Sequence, residues 1–131
     1  MFDINPTDAA PIWKQIEEGV RRLITLGMLA PGAAVPSVRD LARDLRVNPA
    51  TVSRAYQRLT DAGVLTVKRG DGTYVADEPA QLKKSERHEI VRDGAQRYAG
   101  VVISAGVPLE DAESELESAY QRLVREHRRR A

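Results

Sequence analysis

Residues 48–58 read Asn-Pro-Ala-Thr-Val-Ser-Arg-Ala-Tyr-Gln-Arg and hold the densest hydrogen-bonding chemistry of the chain at helical spacing. On a helix advancing about 100° per residue, Val52, Ala55, Tyr56 and Leu59 share one side, which must face a core. Ala50, Ser53, Arg54 and Gln57 lie roughly opposite, with Thr51 and Arg58 on one flank. The outward set is small at the N-terminal end and long and polar beyond it. Such a surface lets a helix end approach base edges in the DNA major groove, where Arg54 can bond guanine through two N–H groups and Gln57 can pair similarly with adenine. Asn48, Thr51 and the first N–H groups of the helix suit a phosphate. A second set follows at Lys68-Arg69-Gly70-Asp71-Gly72-Thr73. There the two cations suit phosphate or the minor groove, and Gly70 and Gly72 allow close approach. Arg39, upstream, could reach the DNA backbone or a base edge.

Local signals say which elements would position these groups. Ser37 offers an N-cap with Asp40 three residues on, so the sequence predicts a short helix from Val38 to Leu45 that buries Val38, Leu41, Ala42 and Leu45. Arg46-Val47 makes a turn. Asn48 is the next N-cap, Pro49 takes the first helical position, and Gly63 closes the helix after Ala62. Val64 to Val67 and Thr73 to Val75 read as strands around a Gly70-Asp71-Gly72 tip. This order predicts a mainly α fold built on a winged helix-turn-helix, whose second helix enters the major groove. Upstream, Ile12, Ile16, Val20, Leu23 and Ile24 form one apolar stripe on a helix from Pro11 to Leu26, with Trp13 beside it and Gly27 at its end. Phe2 and Ile4 are placed to tuck onto this domain, predicted to span residues 1–77.

Around Asp77 to Lys84 the composition turns polar and includes Pro79, a candidate linker. Two further helices are predicted, about residues 85–105 and 109–129, separated by Gly106-Val107-Pro108. In the second, Leu109, Ala112, Leu116, Ala119 and Leu123 repeat at alternating spacings of three and four, a seam for helix packing. Ile90, Val91, Ala95, Tyr98, Val101 and Val102 give the first a comparable face. A two-helix hairpin cannot bury both faces alone, so it needs a partner surface, either the winged domain or the same hairpin of a second chain. The second is more economical, and residues 78–131 read as a dimerisation tail.

The bulk numbers bound the alternatives. A chain of 131 residues with 42% hydrophobic content supports one domain with an appendage. The net charge of +1 carries no message about nucleic acid. Locally, however, Arg39, Arg43, Arg46, Arg54, Arg58, Lys68 and Arg69 outnumber Asp40, Asp44, Asp61 and Asp71. Cysteine is absent, which excludes disulfides and thiolate zinc sites and suits a reducing cytoplasm. No apolar run approaches the roughly 18 residues that span a bilayer, and the N-terminus lacks the pattern of a signal peptide. No catalytic set, cofactor motif or metal-ligand cluster emerges. His88 and His127 sit in charged surroundings, and the acidic run Glu110 to Glu117 reads as a solvated helix start. Arg125, Arg128, Arg129 and Arg130 form a basic end.

Three segments in order, 36–42 (Pro-Ser-Val-Arg-Asp-Leu-Ala), 47–56 (Val-Asn-Pro-Ala-Thr-Val-Ser-Arg-Ala-Tyr) and 69–75 (Arg-Gly-Asp-Gly-Thr-Tyr-Val), resemble the GntR family of bacterial transcription regulators. The Asn-Pro start and the Ala-Tyr pair resemble its YtrA-like branch, and Pro11 to Ile16 and the Leu29-Ala30-Pro31-Gly32 turn resemble the family's first helix and following turn. The likeness covers about residues 1–76. It implies a dimer that binds a palindromic double-stranded operator and acts as a repressor. It also assigns DNA contact to Arg39, to Asn48, Thr51, Ser53 and Arg54, and to the wing tip at Arg69, Gly70 and Gly72. Ala50 departs from the branch, which often has Asn there, and this alters the expected operator preference. The residues after Ala76 are too few for the larger effector domains of other branches.

Two other function classes stay in view. A winged helix that docks a protein would bind without an operator and without steep salt dependence; an enzyme would need paired titratable groups that the sequence lacks. The pattern leaves room for a small-molecule effector between the tail and the winged domain, though no polar cluster marks its site.

Overall fold

The computed structural model describes residues 2–129 and divides into two compact units, one ending at Ala80 and the other spanning Gln81–Arg129. The first unit opens with α1 (Ile12–Thr25). Pro11 stands just outside the helix in extended conformation, and its carbonyl accepts from the N–H groups of Lys14 and Gln15. The helix is therefore one residue shorter at each end than the sequence predicts. Ile16, Gly19, Val20 and Leu23 make its buried side. Ahead of it, Gln15 holds the N-terminal segment: its Oε1 accepts from the Asn5 N–H at 2.8 Å, and its Nε2 donates to the Asn5 carbonyl at 2.8 Å and to that of Ala10 at 3.0 Å. This tether lays Phe2 into the core, as its apolar character predicts.

Next come α2 (Val38–Leu45) and α3 (Pro49–Asp61). Both begin at the predicted caps. Ser37 Oγ accepts from the Asp40 N–H at 3.0 Å, and Asn48 Oδ1 accepts from the Ala50 N–H at 2.9 Å. Leu41 and Ala42 are buried, but Val38 and Leu45, expected in the core, are only half-buried at its edge. Between the helices Arg46 takes a left-handed conformation, φ 58°, which turns the chain in a single residue while the Val47 N–H bonds the Ala42 carbonyl. Val52, Ala55, Tyr56 and Leu59 close the core from α3, and the Tyr56 hydroxyl donates to the Pro36 carbonyl at 2.7 Å. Burial pushes the Tyr56 phenol well above its ordinary pKa.

The wing pairs β1 (Leu65–Lys68) with β2 (Gly72–Val75), antiparallel, from Leu65 opposite Val75 to Lys68 opposite Gly72. The tip is therefore Arg69-Gly70-Asp71, one residue earlier than predicted. A third edge was not foreseen. Ala34 bridges Tyr74, the Val35 N–H donates to the Thr73 carbonyl, and the Val75 N–H donates to that of Ala33. The segment before α2 is thus stitched to the wing.

The second unit is α4 (Lys84–Ala105) and α5 (Leu109–Arg129), joined through Gly106 at φ 71°. The Tyr98 hydroxyl donates to the Ala112 carbonyl at 2.8 Å and ties the pair together. Among the described residues, Ala112 alone is buried in this unit. Among the described residues no helix is long and apolar enough to cross a membrane. In the basic end Arg125 is exposed; the side chains of His127, Arg128 and Arg129, and all of Arg130, lie outside the described residues.

Candidate nucleic-acid interface

The outer side of α3 is open as the helical wheel requires. Ala50, Ser53, Arg54, Gln57 and Arg58 are exposed and Thr51 is half-buried. The hydrogen-bonding capacity of these residues is not equally free. The Asn48 side-chain oxygen is committed to the cap, so only its amide N–H groups remain for a phosphate. The Thr51 N–H is bonded to the Asn48 carbonyl at 2.9 Å. Gln57 Nε2 donates to Asp61 Oδ1 at 2.8 Å, one turn along the same helix. Ser53 presents a small hydroxyl on the exposed side.

Both arginines of α3 lean on Trp13 of α1, with guanidinium carbons 4.6 Å (Arg54) and 4.5 Å (Arg58) from the ring centroid. Arg58 also gives its Nε–H to Glu17 Oε1. It therefore leans toward α1, although about half of its side chain stays exposed. Arg54 has the ring and no ion pair among the described residues. Sequence reading placed Trp13 merely beside the apolar stripe and did not single out Glu17. Their one-turn spacing on α1, off the buried stripe, was the available signal.

At the wing Gly70 and Gly72 have φ of 76° and 122°, conformations that favour glycine. The Lys68 ammonium sits 4.4 Å above the Tyr74 ring, and Asp71 beside that ring raises the phenol pKa through hydrogen bonding. Arg69 projects at the tip, exposed and without an ion pair among the described residues. Thr73 is half-buried, and its carbonyl is used by Val35.

On α2, Arg43 is drawn to Asp40 at 3.1 Å and Asp44 at 3.9 Å. Arg39 is exposed and has no such partner among the described residues. Of the cations from Arg39 to Arg69, those without an ion pair among the described residues are Arg39 on α2, Arg46 in the turn, Arg54 on α3, and Lys68 and Arg69 on the wing. They come from the elements that a winged helix applies to DNA. Among the described residues no three His, Cys, Asp or Glu side chains come together as a metal site.

The chain is similar to known proteins in sequence and in fold. Residues 13–75 match the family described as bacterial regulatory proteins, gntR family. The transcriptional repressor YtrA of Bacillus subtilis is 33% identical over 110 residues, covering 84% of this chain and 85% of its own. A solved transcriptional antiterminator from Listeria monocytogenes EGD-e superposes with a TM-score of 0.67 at 29% identity, over 95% of this chain and 92% of its own. The DNA-binding domain of AraR, solved in complex with operator ORX1, superposes with a TM-score of 0.51 at 27% identity, over 58% of this chain and 93% of its own.

Proposed function

Starting from a chain that belongs to the GntR family, as a YtrA-like DNA-binding transcriptional regulator and not an enzyme, we propose that it acts as a homodimeric repressor on a palindromic operator. The observation that carries this reading is the exposed side of α3, where Arg54 keeps its edge N–H groups unspent. In this reading α3 lies in the major groove and Arg54 reads guanine. Ala50, Ser53 and Gln57 line the approach, and Asn48 and Thr51 hold the backbone. Gln57 must exchange its bond to Asp61 for one to a base. Arg39 contacts the strand ahead of the helix, while Lys68, Arg69, Gly70, Gly72 and Thr73 form the wing contact. Arg58 serves from the flank, against α1.

The tail supplies the second half-site. Within the Gln81–Arg129 unit an apolar groove of about 660 Å³ is lined by Val91, Tyr98, Val102, Leu109 and Leu116 among others. Such a lining suits the hairpin of a second chain better than a polar small molecule. Two copies then place their α3 helices about one DNA turn apart, roughly 34 Å. Occupying that site blocks transcription, and the place of action is the cytoplasm, with the chromosome.

Fluorescence anisotropy on the upstream intergenic DNA, titrated with salt and random competitor, tests this reading. Two chains per site, survival against competitor and a steep fall with salt, about −0.9 in log K per phosphate contact, are expected. Arg54→Ala should cost roughly 1–3 kcal/mol on the operator and relax one position per half-site. Arg69→Ala should weaken all sequences evenly. Equal losses on operator and random DNA for Arg54→Ala would remove its base-reading role.

A further inference from the structure

Arg54 and Arg58 share one indole but are not equivalent. Arg58 is neutralised by Glu17, whereas Arg54 meets only the ring. A guanidinium stacks by its face and hydrogen-bonds by its edge. Stacking therefore fixes the plane of Arg54 while leaving its N–H donors available to a base. The platform itself is rigid, because α1 is held by Ile16, Val20 and Leu23 in the core. Two cations within 4.6 Å of one centroid would repel each other, and the Glu17 carboxylate offsets that repulsion.

We infer that Trp13 is a positioning residue for Arg54, ordering it before DNA arrives, and that Glu17 makes Arg58 a strut between α1 and α3. This inference rests on the proposed base reading by Arg54. Pre-ordering reduces the side-chain entropy lost when the arginine docks on a base edge, so its effect falls on sequence discrimination. A ring that only filled space would act on all DNA alike, through the stability of the domain.

The test uses the full chain and the best duplex it selects from a randomised pool, against a scrambled duplex of the same composition. Trp13→Leu should weaken the selected duplex about 2- to 5-fold, the scale of an exposed cation–π contact, and leave the scrambled duplex unchanged. Trp13→Phe should restore part of the loss. In an Arg54→Ala background, Trp13→Leu should have no further effect. The inference is overturned if Trp13→Leu weakens both duplexes alike, or if its loss multiplies with that of Arg54→Ala. Should Arg54→Ala itself weaken both duplexes equally, base reading fails, and the inference with it, in a pattern distinct from the other two. If Trp13→Leu does not fold, the single tryptophan provides a second measurement. Its emission in the free protein should shift in Arg54→Ala, and an unchanged spectrum would overturn the stacking.

Discussion

A Cβ placed on Gly19 would stand 2.6 Å from Cδ2 of Phe2 and within 2.8 Å of two more ring atoms, closer than real side chains pack. Glycine inside a helix costs roughly 1 kcal/mol relative to alanine, so α1 gives up propensity to admit the ring. Gly19→Ala should therefore destabilise the domain by about 1 kcal/mol, the overpacking cost exceeding the helical gain. In a Phe2→Ala background the clash is gone, and the same substitution should stabilise by a similar amount. Denaturant midpoints of the four variants measure this reversal of sign; additive effects would show that the ring yields freely. The sequence alone hides the pairing, since Phe2 lies outside the helix that holds Gly19 and only folding lays its ring there. Similarly, nothing local announces that Arg58 of α3 will bond Glu17 of α1.

Element boundaries were the most legible part of the chain. α2 and α3 start where Ser37 and Asn48 place them, because a cap is local chemistry written within four residues. The wing was half legible. Its turn glycines and strand residues stand in the sequence, but the pairing of Ala34 and Val35 with β2 is long-range, and Ala-Ala-Val shows no alternation to mark it. Of the interface, exposure along α3 followed from helical period. The split between free and committed donors did not, because it depends on partners such as Asp61 and Trp13 that only folding brings near. α4 offers a direct test of propensity. Gly100 lies in its interior with nothing within 4 Å of an added Cβ. Gly100→Ala should raise stability by about 0.5–1 kcal/mol, read as a higher unfolding midpoint with operator affinity unchanged.

At the scale of the whole molecule, the tail leaves much apolar surface uncovered. Val91, Val101, Ile103, Leu109, Leu116 and Tyr120 are each more than half exposed. Of the predicted seam of α5, Ala112 is buried, whereas Leu109, Leu116, Ala119 and Leu123 are exposed. If a second hairpin covers this face, Leu116→Glu should halve the mass seen by light scattering. It should also lower operator affinity by at least about 10-fold, since one linked half-site no longer raises the effective concentration of the other. The winged unit, compact in its own right, should keep its fold and its weak binding to single half-sites. A dimer intact in Leu116→Glu would place the contact elsewhere. The indole beneath Arg54 has a consequence for protein engineering as well. A recognition helix transplanted alone onto another scaffold would keep every letter from Pro49 to Asp61 and leave Trp13 behind. Its DNA preference would then travel incompletely, because part of the code is written one helix away.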